Sequence, residues 1–233
     1  MVARPRSDSL PAAMPTASEP SRDCPLCPRL VAFRETWRAA EPAWSNAPVP
    51  SFGPREARLL IVGLAPGLRG ANRTGRPFTG DYAGELLYAT LIEYGFAIGR
   101  FEARPDDTLR LVDARITNAV RCVPPENKPT TQEMRTCRPF LSATLAELPG
   151  VAAIVALGKI AHDQVLAAHG ERLSHFKFVH GARHRIGGRN ERGEVALFDS
   201  YHCSRYNTNT GVLTPDMFRA VFAQVRGFLD AEG

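Results

Sequence analysis

Four cysteines in this chain are spaced so that they could bind a metal. Cys24 and Cys27 form a Cys-x-x-Cys pair, and Cys122 and Cys137 follow much later. Four thiolates bind either one zinc ion or an iron–sulfur cluster, so residue type alone does not choose between them. The long gap disfavours a compact zinc ribbon and favours iron, although Cys122 and Cys137 could instead be buried small side chains. The fifth cysteine, Cys203, is expected to be a free thiol.

A glycine-rich segment from Gly63 to Asp81 contains three arginines. Its backbone N–H and guanidinium groups could approach a phosphate-bearing ligand closely. It is not a P-loop, because no Gly-Lys-Ser/Thr follows to supply the phosphate lysine and the magnesium hydroxyl. A zinc nucleobase deaminase is also excluded, because that class needs a His-x-Glu upstream of its cysteine pair and none precedes Cys24.

Strands and helices alternate along the chain and must position these segments. Continuous apolar runs predict four buried strands, at 58–63, 116–120, 151–157 and 195–199, with helices between them at 131–148 and 159–168 and a closing helix at 215–229. This order predicts an α/β fold with a mainly parallel sheet covered on both faces. Loops 64–81, 118–128 and 202–211 should then converge on one cleft. The basic segment 183–192 is expected to be a hairpin or a solvated loop.

Composition indicates one main domain. The chain has 233 residues, a hydrophobic fraction of 44% and a net charge of +5 carried mainly by arginine, which allows a polyanionic partner. Residues 1–22 are expected to be a flexible tail and 23–233 a single domain. The tail has no signal-like apolar region, and no apolar run is long enough for a membrane span. We therefore expect a cytoplasmic monomer without disulfides.

The motif loops resemble those of the family 5 uracil-DNA glycosylases, the iron–sulfur members of the uracil-DNA glycosylase superfamily. The resemblance runs from Cys24 to the last helix. It rests on Gly63-Leu-Ala-Pro-Gly67, Asn72-Arg-Thr-Gly-Arg-Pro-Phe-Thr-Gly-Asp81, Asn118-Ala-Val-Arg-Cys122 with 124–129, and Tyr201-His-Cys-Ser-Arg-Tyr-Asn-Thr-Asn-Thr-Gly211.

This resemblance implies a three-layer α/β/α fold with a central, mainly parallel four-stranded sheet. It implies a [4Fe-4S] cluster held by Cys24, Cys27, Cys122 and Cys137. It also implies a bacterial or archaeal, DNA-associated repair enzyme that removes uracil and related deaminated or modified bases, leaving an abasic site as the first step of base excision repair.

The resemblance assigns catalytic roles to Asp81, Asn118 and His202. Breaking a glycosidic bond builds positive charge on the sugar and negative charge on the departing base. Asp81 would activate water or stabilise the sugar, unless it merely caps the helix that starts near Ala83. The amide of Asn118 matches the N3–H and O4 edge of uracil, unless it is a turn-forming residue. His202 would donate a hydrogen bond to uracil O2.

The same loops are expected to bind the substrate. Phe78 would stack on a flipped base, with ordinary core packing as the alternative. Further contacts to the base or to phosphates are expected from Gly63, Ala65, Pro66, Gly67, Ser204, Arg205 and Asn207. The other histidines, among them His162, His180 and His184, are expected to be structural or surface residues.

Two positions depart from the family pattern. Ala65 stands where many members carry a polar or acidic residue that activates water, so hydrolysis would depend more on Asp81 or on stabilising the leaving group. Cys203 stands where relatives commonly have proline, which could loosen its loop.

A monofunctional enzyme is expected, because Lys128 is the sole lysine in the motif loops and a lyase would need a suitably placed amine. The competing class is a non-catalytic, zinc-dependent nucleic-acid-binding module. That alternative would leave Asp81, Asn118 and His202 without a joint task.

Overall fold

In a computed structural model, which describes residues 17–187 and 193–232, the centre of the fold is a five-stranded sheet. Its strand order is β4-β1-β5-β7-β6, and β1, β4, β5 and β7 run parallel. A separate antiparallel pair is formed by β2 and β3. The strands are β1 Leu59–Gly63, β2 Ala97–Ile98, β3 Arg110–Leu111, β4 Ala114–Asn118, β5 Ala153–Leu157, β6 Arg183–Gly187 and β7 Glu194–Ser200.

Helices cover both faces of this sheet. They are α1 Pro28–Ala40, α2 Ala71–Thr74, α3 Tyr82–Glu93, α4 Thr131–Ala146, α5 Lys159–His169, α6 Arg205–Asn209 and α7 Pro215–Glu232, with 3-10 turns at Pro125–Asn127 and Leu173–His175.

Side chains of β1 alternate between the two faces, as the pleat of a strand requires. Leu59 and Ile61 pack with residues of α3 and α7. Leu60 and Val62 pack with residues of α4 and α5. Each such side chain contributes about 1.5–3 kcal/mol by leaving water. The expected three-layer α/β/α architecture is therefore confirmed.

The expected number of strands was wrong by one within the described residues. The fifth strand, β6, lies at the sheet edge and pairs antiparallel with β7, in the register Arg183↔Phe198 to Gly187↔Glu194. Only Ile186 of its residues is buried, so the strand has no apolar run that a sequence pattern could detect. For residues 183–187, the antiparallel pairing with β7 agrees with the hairpin alternative for segment 183–192. Residues 188–192 lie outside the described part.

The start of α4 follows directly from its sequence. Thr130 is the N-cap, and its hydroxyl accepts a hydrogen bond from the N–H of Glu133, whose carboxylate in turn accepts from the Thr130 N–H. This capping box satisfies two N–H groups that the helix cannot pair internally. It holds the first turn of the helix that carries Cys137.

The proposed domain boundaries stay a prediction, and residues 1–16 of the expected tail lie outside the described part. Within that tail, however, Ser18 is buried and Glu19 forms an ion pair with the fully buried Arg121. Residues 18 and 19 thus pack on the domain. In 17–187 and 193–232, the structure has no helix with the length and apolar character needed to cross a membrane.

Candidate active site and cysteine cavity

A cleft of about 610 Å³ opens at the carboxyl ends of the parallel strands. Loops after β1, β4 and β7 form it, as expected for a sheet of this kind. Asp81, Asn118 and His202 all line the cleft. Its other lining residues are Leu64, Ala65, Pro66, Gly67, Arg69, Ala71, Phe78, Gly80, Tyr82, Ala83, Asn127, Ser204 and Arg205.

Asn118 is the last residue of β4 and pairs with Gly63 at the end of β1. Its side chain is almost fully buried. A Cβ on Gly63 would overlap Asn118 Oδ1 and would come within 2.9 Å of the Phe78 ring. Gly63 does not line the cleft; instead it leaves the space in which Asn118 and Phe78 meet. Within residues 17–187 and 193–232 the Asn118 amide is not used in an intramolecular hydrogen bond, so it is available to a ligand.

Phe78 has features of both interpretations given above. Its ring packs in the core and also lines the cleft. Its φ of 51° lies in the left-handed region, which is uncommon for a bulky side chain and costs about 1–3 kcal/mol. The ring faces that of His202, with centroids 5.9 Å apart and an interplanar angle of 30°. The strained backbone aims an aromatic face into the cleft.

Asp81 occupies the N-cap of α3, but its side chain makes no capping hydrogen bond. Because N–H groups of the first turn of α3 nevertheless face the carboxylate, capping and catalysis both stay predictions for Asp81. Although this side chain is exposed to the cleft, the surrounding protein raises its pKa by desolvation. The N–H groups of Ala83 and Gly84 partly offset this rise. Asp81 thus points into the cleft with a carboxylate that is more basic than usual.

His202 is held in the cleft as a neutral imidazole. Desolvation lowers its pKa to about 4. Asn207, expected to contact substrate, does not line the cleft; its Nδ2 donates to the His202 carbonyl at 2.8 Å. Cys203 is fully buried, and its Sγ donates to the Ala83 carbonyl at 3.4 Å. Cys203 therefore ties this loop to α3 rather than loosening it.

The loop after β7 brings a basic side chain to the cleft, followed in the chain by an exposed aromatic residue. Ser204 caps α6, because its hydroxyl accepts a hydrogen bond from the Asn207 N–H. The Arg205 guanidinium lies 5.3 Å from the centre of the Tyr82 ring. Next to Arg205, Tyr206 is 74% exposed.

Sequence reasoning missed three polar residues of the cleft: Arg69, Tyr82 and Asn127. Arg69 lies in the glycine-rich loop, whose arginines were noted only as a group. Asn127 has a positive φ of 57° in a proline-rich turn, and nothing in its local sequence distinguishes it from an ordinary loop residue.

The four predicted ligand cysteines line one small cavity beside the cleft, here called the cysteine cavity. Cys24 and Cys27 precede α1, Cys122 follows β4, and Cys137 lies in α4. Burial raises the pKa of Cys27 to about 11 and that of Cys122 to about 12, and the neighbouring thiols add to both shifts. The Arg121 N–H donates to Cys137 Sγ at 3.4 Å. Four such thiols would release protons on binding a metal.

The cysteine sulfurs are not gathered as closely as the ligands of a bound zinc ion. In a tetrahedral zinc site, with Zn–S distances near 2.3 Å, the sulfurs stand about 3.8 Å apart. Among the described residues, His162, His184 and Asp199 are the one group of three or more ligand atoms all within 4.8 Å of each other. As their side chains stand, therefore, no three of the four cysteine sulfurs lie all within 4.8 Å of one another.

Buried positive charge surrounds the cysteine cavity. Arg34 lines it, is buried, and donates from both Nη atoms to the Cys24 carbonyl at 3.2 and 3.3 Å. Its buried Nε has no hydrogen-bond partner within the described residues. It lies 3.6 Å from Glu35 Oε1, an ion pair that is longer than a hydrogen bond. Four thiols from three segments that line one cavity beside a buried guanidinium fit a thiolate-ligated iron–sulfur cluster, and the same donor set fits a zinc ion.

Ala65 lies between the two sites. It lines the cleft and also packs against the apolar residues around the cysteines. The loop that carries Gly63 to Gly67 is therefore supported from behind by the wall of the cysteine cavity. Loss of order at the cysteines would reach the cleft through this loop.

Comparison with known proteins identifies the family. The model of the uracil DNA glycosylase superfamily matches residues 50–226. A type-5 uracil-DNA glycosylase of Thermus thermophilus is 49% identical over 210 residues, covering 87% of this chain and 92% of the relative. Type-5 enzymes of Mycobacterium tuberculosis and Pyrobaculum aerophilum are 41% and 38% identical, and the matches cover 87% and 85% of this chain and 77% and 86% of the relatives. The chain belongs to the uracil DNA glycosylase superfamily and, within it, to the type-5 enzymes.

Proposed function

We propose that this chain hydrolyses the N-glycosidic bond of uracil in DNA, leaving an abasic site as the first step of base excision repair. The observation that carries the proposal is the convergence of Asp81, Asn118 and His202, from three separate loops, on one cleft that Phe78 also lines. The relatives' shared name, type-5 uracil-DNA glycosylase, supports the same reaction.

Base recognition is assigned to Asn118 and Phe78. An amide offers one acceptor and two donors, which match the N3–H and O4 edge of uracil and oppose the reversed pattern of cytosine. A base that reaches this cleft must leave the duplex, and an aromatic face replaces part of the stacking that it loses. The Phe78 ring lines the cleft and faces the His202 ring, so it is placed to stack on such a base.

Leaving-group stabilisation is assigned to His202. A neutral imidazole carries one N–H, and it can donate to uracil O2 while negative charge develops on the base. With its pKa near 4, His202 does not protonate the base at neutral pH. Its effect is therefore electrostatic, through a hydrogen bond that strengthens in the transition state.

Stabilisation of the sugar and activation of water are assigned to Asp81. Its ionised carboxylate would face the positive charge that builds on the sugar as the bond breaks. The same oxygens can orient or deprotonate the attacking water, and a raised pKa makes the carboxylate a better base. Ala65 supplies no polar group for this task, which leaves Asp81 as the acidic side chain in the cleft wall.

DNA binding is assigned to the rim. Arg69 and Arg205 are placed to contact phosphates, and the net charge of +5 favours a polyanion. Tyr206 projects an exposed ring beside Arg205, where it can enter the stack and fill the gap that an extruded base leaves. Lys128 lies outside the cleft lining, which agrees with a monofunctional glycosylase.

A [4Fe-4S] cluster bound by Cys24, Cys27, Cys122 and Cys137 is part of the proposal. When bound, the cluster would act as a structural brace. The four cysteines would join the segment before α1, the loop after β4 and the helix α4, which together back the loop that carries Ala65. The long gap between Cys27 and Cys122 supports iron over a compact zinc ribbon.

Release of free uracil from a uracil-containing oligonucleotide tests the proposal. We expect the purified wild-type chain to release it and leave alkali-labile abasic sites. Asn118→Ala should lower the single-turnover rate about a hundredfold to a thousandfold, as for loss of one preorganised hydrogen-bonding group. Ala89→Ser, on the exposed face of α3, is a control that should keep full activity.

Tight DNA binding without base release would support the nucleic-acid-binding module instead. The convergence of three polar side chains on one cleft does not favour that alternative, because binding alone needs no such group. The monomeric state and the cytoplasmic compartment remain predictions.

A further inference from the structure

Three buried side chains lie directly behind the loop that carries His202, and no step above uses them. His162 on α5, His184 on β6 and Asp199 on β7 are here called the Asp199 network. Asp199 and His162 are fully buried, and the His184 side chain is 16% exposed. Asp199 Oδ1 lies 2.7 Å from His162 Nδ1, and Asp199 Oδ2 lies 3.0 Å from His184 Nε2.

Both ring nitrogens of His162 face acceptors. Nδ1 faces the Asp199 carboxylate, and Nε2 lies 3.1 Å from the Phe176 carbonyl. A neutral imidazole has one N–H and could satisfy only one of these acceptors. His162 can donate from both ring nitrogens only as the doubly protonated imidazolium. Because the neighbour is a buried carboxylate, the positive charge of that form is compensated.

Asp199 is held on every side by the segment before β6. Its Oδ2 accepts from the Val179 N–H, its backbone N–H donates to the Ala182 carbonyl, and its own carbonyl accepts from the Gly181 N–H. Two residues further along, the Tyr201 N–H donates to His180 Nδ1 at 3.0 Å, and the two rings stack with centroids 4.9 Å apart. These bonds place the chain immediately before His202.

His162 reaches the same point from the other side. Its backbone N–H donates to the Gly158 carbonyl, and the Gly158 N–H donates to the Ser200 carbonyl at 2.7 Å. A Cβ on Gly158 would lie 3.8 Å from the His202 Cβ, so α5 begins in contact with the catalytic loop. The α5 helix, the segment 176–182 and the end of β7 are therefore joined through one charged hydrogen-bond network.

We propose that His162 is a positioning residue for the glycosylase reaction, and that its doubly protonated ring locks Asp199 and the segment 176–182 so that His202 faces the base. The inference rests on the proposed function of the cleft. Loss of the second proton removes the His162 hydrogen bond from either Asp199 Oδ1 or the Phe176 carbonyl. The loop before His202 then loosens, and uracil excision slows.

The surroundings of His162 determine the direction of this pH dependence. Burial acts most strongly and lowers its pKa, but the hydrogen bond and charge of Asp199 and the Phe176 carbonyl outweigh it, so the pKa is raised above 6.5. The other ionisable groups facing it are His184 on β6 and Asp163 on α5, which is paired with Lys159. Stability from this ion pair is therefore full below pH 6.5 and is lost as pH rises through the raised pKa.

The protonation of His162 can be measured in the wild-type enzyme, without a variant and without activity. We expect ¹⁵N NMR of histidine-labelled protein to show one buried ring with protons on both nitrogens at pH 6.5. His162→Gln should identify that signal by its loss. A wild-type spectrum in which every buried histidine is singly protonated would overturn the proposal, whether or not the chain releases uracil.

The effect on the reaction is tested by pH profiles. The single-turnover rate of uracil release in the wild type should fall at alkaline pH, with a midpoint equal to the NMR pKa of His162. In His162→Gln the rate should be about tenfold lower at pH 6.5, with KM for the oligonucleotide little changed, and this alkaline fall should be absent. His175→Gln, on an exposed turn, is the matched control and should behave as wild type.

An unchanged rate and profile in His162→Gln would contradict a positioning role. One equivalent of zinc or nickel in the purified protein, lost in His184→Gln, would also overturn it, because a metal would then bridge these side chains in place of protons. The wild type could release no uracil and still show the NMR signal of a doubly protonated His162. In that case the proposed function is wrong, but the ion pair between His162 and Asp199 is supported.

Discussion

Asp81 Oδ2 lies where a Cβ on Gly70 would stand. The carboxylate also packs against Gly67, where an added Cβ would come within 2.9 Å of the same oxygen. Two glycines of the glycine-rich loop therefore leave the space that the Asp81 side chain occupies. From the sequence, these glycines were expected to let the backbone approach a phosphate-bearing ligand. In the structure, Gly67 and Gly70 instead make room for the Asp81 side chain.

Gly70→Ala should displace the Asp81 carboxylate while the fold persists, because the atoms that clash belong to a side chain exposed to the cleft. We expect single-turnover uracil release to fall by at least about tenfold, since small misplacements of a catalytic group are costly. Gly227→Ala is the matched control, because a Cβ there meets no atom within 4 Å in the described structure. Equal rates for the two variants would show that the position of Asp81 is not critical.

Acid should destabilise the protein through His202. Its pKa is lowered to about 4 in the folded state, whereas an unfolded histidine titrates near 6.5. The unfolded chain therefore binds more protons between these values, and stability falls as pH drops from about 6.5 towards 4. Urea unfolding of wild type and His202→Gln at pH 5 and pH 7 measures this. The difference between the two pH values should be smaller in the variant; an equal difference would contradict the lowered pKa.

Two cysteine variants compare a proposed cluster ligand with a core thiol that is buried to a similar degree. They are Cys137→Ala and Cys203→Ala. We expect the Cys137 variant to lose most of its iron and its absorbance near about 400 nm, and to fold poorly, because metal ligation contributes to folding. The Cys203 variant should retain full iron content and lose about 1 kcal/mol through its lost packing and weak hydrogen bond. Iron loss of equal size in both variants, or stoichiometric zinc in wild type, would exclude the assignment.

Tyr206→Ala should impair excision from duplex DNA more than from single strands. A ring that fills the gap in the stack assists extrusion of the base, and a single strand needs no such help. We expect a fall of about tenfold on duplex and less than about threefold on single strands, with unchanged thermal stability because the side chain is 74% exposed. Val212→Ala is the control, at 43% exposure. Equal losses on both substrates would assign Tyr206 to general DNA contact.

Local sequence patterns predicted much of the fold because burial and capping leave short-range signals. The strands predicted at 58–63 and 151–157 are apolar apart from Arg58, and the structure places β1 at Leu59–Gly63 and β5 at Ala153–Leu157. The helix predicted at 131–148 is α4, Thr131–Ala146, and Thr130 is its N-cap. The second strand lies at Ala114–Asn118 rather than 116–120, because Arg115 and Thr117 interrupt its apolar pattern.

The candidate site was predictable in part, because its motifs are short and lie in loops at the ends of strands. Asp81, Asn118, His202 and Phe78 do meet in one cleft. Gly63 and Asn207 were assigned to substrate, but one leaves room for Asn118 and the other holds the His202 carbonyl. The sequence gives the type of residue at each loop position, but it does not show which way the side chain points.

By itself, the sequence determined the alternation of strands and helices, the glycines that leave space, and the thiols and polar side chains available for chemistry. Only the tertiary structure decided that β6 extends the sheet, that Asp81 rests against Gly70, and that His162 meets Asp199. It also decided that the four cysteines line one cavity. The physical reason is that such distances depend on how helices pack on a twisted sheet, and close packing couples segments far apart in the chain.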